Sequence, residues 1–193
     1  MLSFRKIFPL FLMLLTATGD DLQIQTKLRN GLLVTEASLS LRADAQATWR
    51  VLADYDRLGE GLSFVKHSEL VERAGGNVLL RQQLTGELFF FKRELSVLLR
   101  VQERFPERMD FEDELKKDFK IYRGYWQVEG STNTTALHYH LEAQPRFRLP
   151  AQMMRKSSEK KLRAMLEQLA RRIEGAEADA EPAAAHESGT GQP

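Results

Sequence analysis

The sequence predicts one α+β domain in which a curved antiparallel β-sheet wraps around a long C-terminal helix. Short segments with apolar residues at every second position follow one another between residues 22 and 143, separated by turns of hairpin length. No helical pattern recurs between these segments, which argues against a parallel α/β fold. Beyond Pro150 the apolar residues recur at three- and four-residue steps, which is typical of one amphipathic helix.

The first residues have the layout of a secretory signal peptide. Arg5 and Lys6 precede an apolar run over residues 7–15, and small residues follow up to Gly19, where cleavage is expected. The run is shorter than the roughly 20 residues that span a bilayer. The alternative is an uncleaved N-terminal anchor. We therefore predict a signal peptide over residues 1–19 and a periplasmic or secreted protein.

Composition limits the remaining possibilities. The 193 residues are 42% hydrophobic and 28% charged, as in an ordinary globular domain, and they include no cysteine. Disulfides, a thiol nucleophile and thiolate metal sites are thus excluded. The net charge of +1 falls by two without Arg5 and Lys6, so we expect a neutral partner and no nucleic acid. Residues 175–193 contain no large apolar side chain and are predicted to form a disordered tail, which leaves residues 20–174 as the domain.

The first third of the domain contains a hairpin and a helix. Asn30-Gly31 is a strong turn signal within residues 22–41, where apolar residues alternate. Asp44 then stands as the N-cap of a helix that carries Trp49. Residues 54–64 include two glycines and predict a short helix or a turn-rich lid.

The middle of the chain predicts strands with one apolar face each. Turns are expected at residues 74–77, 105–107 and 130–133. The alternating positions are Val78, Leu80, Gln82, Leu84; Leu95, Val97, Leu99, Val101; Met109, Phe111, Asp113; Tyr122, Gly124, Trp126, Val128; and Leu137, Tyr139, Leu141, Ala143.

The predicted last helix has an apolar and a basic side. Its apolar stripe consists of Met154, Ser158, Leu162, Met165, Leu169 and Ile173. Its basic residues are Arg155, Lys156, Lys160, Lys161, Arg163, Arg171 and Arg172. That side could touch anionic membrane headgroups transiently, or it could simply be solvated.

A sheet curved around a helix can leave a cavity between the two, and large apolar side chains would line it. The candidates are Trp49, Phe64, Phe89, Phe91, Phe111, Tyr122, Trp126, Tyr139, Met154 and Met165. The alternative for each is a filled core. Ser158 interrupts the apolar stripe, so it could donate to a ligand or bond back to its own helix. Asp113 falls on an apolar strand face, where it could orient a ligand, or it could lie at the rim.

Signatures of strong chemistry are missing from the sequence. It contains no Gly-x-Ser-x-Gly, no His-Glu-x-x-His and no phosphate loop. His138 and His140 share a strand face and could bind a metal, but we expect them to point to solvent because no third ligand has a recognisable spacing. We therefore predict no catalytic residue, no metal and no cofactor.

Three segments resemble one superfamily. WRVLADYDRL at residues 49–58 resembles the helix-and-turn segment of the polyketide cyclase/dehydrase and coenzyme-Q-binding group of the START-like (SRPBCC) helix-grip superfamily. YRGYW at residues 122–126 and Leu149-Pro150 before the last helix are similar to its other motifs, and the likeness spans residues 33–173. The resemblance implies a helix-grip fold with an apolar tunnel, in a group that binds lipids, quinones, polyketides or plant hormones and only sometimes catalyses. Gly59-Glu60-Gly61 departs from the Pro and aromatic residues common there.

Three functional hypotheses follow. The first is an exported non-catalytic protein that binds a lipid, quinone or polyketide-like molecule in a cavity between sheet and helix. The second is a polyketide cyclase/dehydrase-type enzyme, which would need a convergent polar pair such as Asp113 with Tyr139 or Arg93. The third is an interaction protein with a solid core, which a structure without a void of roughly 300 Å³ would favour.

Overall fold

The computed structural model describes residues 22–60, 64–88, 91–130, 133–147 and 150–187, with side chains undescribed at 86–88, 91–92, 151, 153–154 and 179–187. The predicted signal peptide lies outside the described residues.

The described residues form one antiparallel sheet and two helices. The strands are β1 (Gln23–Arg29), β2 (Leu32–Leu41), β3 (Val65–Ala74), β4 (Asn77–Leu88), β5 (Phe91–Arg104), β6 (Arg108–Asp113), β7 (Phe119–Gly130) and β8 (Thr135–Pro145). The helices are α1 (Ala45–Leu52) and α2 (Ala151–Glu187). The strand order is β1-β2-β8-β7-β6-β5-β4-β3, so β8 pairs with β2 and the first hairpin joins the meander through its last strand. The predicted α+β class and its long C-terminal helix are confirmed.

Local signals account for the entry to the sheet and to α1. Asn30 and Gly31 have φ angles of 51° and 80°, the left-handed conformation that a tight turn between twisted strands requires. The carboxylate of Asp44 accepts a hydrogen bond from the amide of Ala47 at 2.6 Å, as expected of an N-cap. Residues 55–60 then form turns, as predicted for the segment with glycines.

The core lies between the concave face of the sheet and α2. The inward residues of the strands are apolar at alternating positions, and α2 contributes Leu162, Leu166, Leu169 and Ile173, all buried. Gly124 of β7 permits close packing there. A Cβ at this position would lie 2.0 Å from the carbonyl oxygen of His140 and 2.8 Å from the ring of Phe111.

The predicted tail is wrong for residues 175–187, because α2 continues to Glu187. The composition explains the difference. Alanine and glutamate have high helix propensity, and residues that extend an existing helix need no new nucleation. A segment without large apolar side chains has no driving force for burial, but it can still form a helix. Residues 188–193 lie outside the described residues.

Candidate functional site

A cavity of about 890 Å³ lies between the concave face of the sheet and α2. Strands β2, β4, β5, β6, β7 and β8 form its wall, and α2 closes it together with Tyr55, Leu58, Glu60, Phe64 and Val65. This volume is at the upper end of that of small-molecule sites, so the hypothesis of a solid core is wrong. The apolar lining includes Leu33, Leu52, Leu80, Leu84, Leu95, Leu99, Val101, Leu141 and Ala143.

Aromatic rings form one wall of the cavity. Phe111 lies 6.2 Å from the ring of Tyr122 and 6.3 Å from that of Tyr139, measured between centroids. Trp126 contacts Tyr139 at 4.4 Å, and Phe119 contacts Tyr122 at 4.8 Å. The rings brace one another, which holds the wall in a fixed shape.

Two phenol groups face this apolar space. Burial raises the pKa of Tyr122 to about 12, and the charge of Asp113 adds to the shift. Burial also raises the pKa of Tyr139 well above its ordinary value, with a smaller contribution from Tyr122. Both side chains therefore keep their protons at neutral pH and remain hydrogen-bond donors.

Helix α2 supplies the opposite wall. Ser158 and Met165 are half-buried and line the cavity beside Leu162. The side chain of Gln168 donates to the carbonyl of Glu60 at 2.8 Å, and that of Arg172 donates to the carbonyl of Arg57 at 2.8 Å. These two bonds hold the turn segment against α2 and thereby close one side of the cavity.

The basic residues predicted for one side of α2 fall into two groups, one that lines the cavity and one that faces solvent. Lys161 donates to the carbonyl of Thr85 at 3.0 Å and lines the cavity, as does Arg172. The other five basic residues, Arg155, Lys156, Lys160, Arg163 and Arg171, are exposed. The solvent-facing charge is thus smaller than the sequence suggested.

Seven predicted site residues line the cavity: Phe64, Phe111, Tyr122, Trp126, Tyr139, Ser158 and Met165. Their proposed contact with a ligand stays a prediction. Phe89 lies outside the described residues, and the side chains of Phe91 and Met154 are not described, although their backbones belong to β5 and α2.

Two predicted site residues do not line the cavity. Trp49 points from α1 toward the turn after β5, where it meets the ring of Phe105 edge-on at 5.5 Å. The buried carboxylate of Asp113 accepts hydrogen bonds from the amides of Leu98, Leu115 and Lys116 at 2.9, 3.0 and 3.0 Å. Asp113 therefore fixes the turn after β6 instead of orienting a ligand.

Several lining residues were not predicted. Thr35 and Gln82 are polar residues on inward strand positions, and Tyr55, Phe119 and Phe147 stand at turns or strand ends. Alternation could have indicated the first two, because Thr35 shares its face with Leu33 and Leu39. Periodicity does not mark Tyr55 and Phe147, since a residue outside a regular element has no face that sequence spacing defines. Phe119 begins β7, but a register shift between Phe119 and Ile121 interrupts the alternation there.

His138 and His140 lie on the outer face of the sheet, where they approach the carboxylates of Glu129 and Glu36 at 3.8 Å each. The imidazole of His140 stacks on the ring of Tyr125 at 5.1 Å, and Tyr125 in turn lies 3.6 Å beneath the guanidinium of Arg108. A hydrogen bond from Arg108 lowers the pKa of Asp110. In the described part of the chain, no group of three or more His, Cys, Asp or Glu residues could hold a metal ion. No described helix has the length and apolar character needed to cross a membrane.

A curved antiparallel sheet that grips a long C-terminal helix around an apolar cavity defines the START-like helix-grip class. The chain belongs to the polyketide cyclase/dehydrase and lipid transport family, whose model matches residues 41–170. This agrees with the resemblance noted in the sequence. No match was found among curated protein sequences.

Solved structures of this class superpose on most of the chain. A STAR-related lipid transfer protein from Xanthomonas axonopodis shares 13% identity over 80% of this chain and 99% of its own, with a TM-score of 0.62. Human STARD10 shares 11% identity over 82% of this chain and 71% of its own, with a TM-score of 0.64. The Zhui aromatase/cyclase from Streptomyces sp. R1128 shares 15% identity over 78% of this chain and 94% of its own, with a TM-score of 0.53. The likenesses establish the fold, which hosts both transfer proteins and enzymes.

Proposed function

We propose that this protein is an exported, non-catalytic carrier that holds a lipid, quinone or polyketide-like molecule between its sheet and α2. The cavity of about 890 Å³ is the observation that carries the proposal. An empty apolar cavity of this size lowers the stability of the fold, because its lining residues lack packing contacts. Burial of an apolar ligand in the cavity is favourable.

The enzyme alternative receives less support from the side chains. It needs two polar groups that converge on a substrate, and the candidates were Asp113 with Tyr139 or Arg93. The carboxylate of Asp113 already accepts three amide hydrogen bonds, and Arg93 lies 3.6 Å from Asp118 instead. The guanidinium carbon of Arg93 also lies 4.5 Å from the centroid of the Phe147 ring. Asp113 and Arg93 are thus engaged in structural contacts, and Tyr139, whose pKa is raised by burial, keeps its proton and offers a donor but no base.

Native mass spectrometry tests the proposal on protein purified from its own exported compartment, followed by organic extraction. We expect an apolar molecule in a one-to-one ratio, released unchanged by solvent. Ser158→Trp should abolish its retention, because the indole would occupy the cavity. Arg163→Trp on the exposed side of the same helix is the matched control and should retain the ligand.

Two results would count against a carrier. A mass without ligand that does not change after incubation with lipids and quinones would contradict stable binding. Recovery of a dehydrated or cyclised product from an added polyketide chain, lost in Ser158→Trp, would support the enzyme instead.

Export is a separate part of the proposal and has its own test. If residues 1–19 act as a signal peptide, the protein from the periplasm or medium should begin at Asp20 in intact-mass measurement. Full-length protein in the membrane fraction would support the anchor alternative. A full-length protein in the cytoplasmic fraction would contradict export.

A further inference from the structure

Some polar side chains of the cavity have a hydrogen-bond partner within the protein, and others do not. The hydroxyl of Thr35 lies 3.4 Å from that of Thr26, and the amide of Gln82 donates to the hydroxyl of Ser68 at 3.2 Å. The described residues make no hydrogen bond to the hydroxyl of Tyr122 or Tyr139, and neither hydroxyl is sealed off, because every fully buried side-chain nitrogen or oxygen among the described residues has a partner. Tyr139 is nonetheless only 8% exposed. The two hydroxyls therefore open onto the cavity, and a ligand that fills it must either accept their hydrogen bonds or leave the donors desolvated and unpaired, which is costly.

The two tyrosines form one unit through Phe111. Phe111 on β6 pairs with Gly124 on β7, and Gly124 stands between the positions that pair Tyr122 with Ala143 and Trp126 with Tyr139. The ring of Phe111 occupies the space over Gly124, so the two phenol rings lie near it on the same cavity wall. Both donors therefore face the same apolar space, and their rings cannot turn away without disturbing the aromatic wall.

We propose that Tyr122 and Tyr139 form a hydrogen-bonding subsite for a neutral oxygen acceptor, such as a carbonyl, on an otherwise apolar ligand. The inference rests on the proposed carrier function and narrows its ligand class. A ketone, ester or quinone satisfies the two donors, whereas a pure hydrocarbon leaves them unpaired.

Charge in the surroundings selects against an anionic group at this subsite. The carboxylate of Asp113 lies close enough to raise the pKa of Tyr122, so a second negative charge there would be repelled. Among the cations of the cavity lining, Arg93 pairs with the carboxylate of Asp118. Lys161 and Arg172 project from α2, the wall opposite the two tyrosines, and donate to the carbonyls of Thr85 and Arg57.

Three pyrene probes of similar size test the subsite: acetylpyrene, ethylpyrene and pyrenecarboxylate. Their binding is measured through quenching of the tryptophan fluorescence, to which Trp126 in the cavity lining and Trp49 outside it both contribute. Tyr122→Phe and Tyr139→Phe each remove one hydroxyl and keep the ring. We expect each to weaken acetylpyrene binding about 3- to 10-fold, the equivalent of one hydrogen bond, and to leave ethylpyrene unchanged or tighter. In the wild type, pyrenecarboxylate should bind more weakly than acetylpyrene.

Tyr125→Phe is the matched control, because the ring of Tyr125 stacks on His140 on the outer face of the same strand pair. Its affinity for all three probes should equal that of the wild type. One result would overturn the subsite and leave the carrier proposal standing: the wild type binds ethylpyrene, and the double variant Tyr122→Phe/Tyr139→Phe binds acetylpyrene with unchanged affinity. Pyrenecarboxylate bound as tightly as acetylpyrene would also overturn it. If the wild type binds none of the three probes, the subsite is overturned, and native mass spectrometry after incubation with lipids and quinones decides the carrier proposal separately.

Discussion

Replacement of Asp113 distinguishes a structural carboxylate from a ligand-binding one. The side chain is 1% exposed, and Oδ1 accepts from the amides of Leu98 and Leu115 while Oδ2 accepts from the amide of Lys116. Hydrogen bonds to a charged group contribute about 1.5–3 kcal/mol each. Leu115 and Lys116 are exposed, so water would partly satisfy their amides in Asp113→Ala. We therefore expect a loss of about 3–4 kcal/mol in the free energy of unfolding.

The same geometry predicts a graded series. Asp113→Asn keeps one acceptor oxygen for Leu98 and Leu115 and loses the bond to Lys116, so its loss should be about half that of Asp113→Ala. Urea unfolding gives the free energies, and the melting temperature of Asp113→Ala should fall by roughly 6–15 °C. Glu112→Ala is the control, because Glu112 is exposed and, within the described part of the chain, forms an ion pair with Lys116 alone, at 3.6 Å. Its change should stay within about 0.5 kcal/mol.

A stability of Asp113→Ala within about 1 kcal/mol of the wild type would refute this reasoning. A ligand-binding Asp113 would show a different pattern, with weaker probe binding in Asp113→Asn and no loss of stability. Binding is measured at a temperature where every variant is folded.

Three further predictions concern packing and ionisation. Gly124→Ala should lower the melting temperature by several degrees or prevent folding, because its Cβ would lie 2.0 Å from a backbone oxygen. In the control Gly175→Ala, the new Cβ meets nothing within 4 Å, and the helical content measured by circular dichroism should rise. Leu166→Ala should cost about 2–5 kcal/mol in urea unfolding, since the side chain is 1% exposed, and an unchanged midpoint would contradict its place in the core. Burial raises the pKa of Tyr122 from 10.0 to about 12, so the folded state keeps a proton that the unfolded state releases. Stability should fall as the pH rises between these values, and this part of the fall should disappear in Tyr122→Phe in alkaline unfolding curves.

The fold could be predicted because its signals are local and repetitive. Alternation defines each inward strand face, Asn30-Gly31 closes the first hairpin and Asp44 caps α1; each of these needs only a few neighbouring residues. The long apolar stripe of α2 sets its orientation against the sheet for the same reason. The error at residues 175–187 also has a local cause, because these residues lack apolar side chains for burial while their alanine and glutamate favour a helix.

The site was predicted only in outline, since a cavity depends on residues far apart in sequence. Sequence spacing placed Phe111, Tyr122 and Tyr139 on inward faces but could not tell a filled core from an open one. That depends on how far α2 stands from the sheet. It also could not show that the carboxylate of Asp113 binds backbone amides, because these amides belong to β5, a different strand, and to the turn after β6.

The sequence by itself determined the strands, the helices and the apolar face of each, because side-chain period follows directly from backbone geometry. The tertiary structure alone decided which inward residues meet one another and which meet empty space. The pairing of β8 with β2 and the position of α2 bring Thr35, Tyr139 and Ser158 around one cavity. Such convergence arises from the packing of whole elements, and no spacing along the chain encodes it.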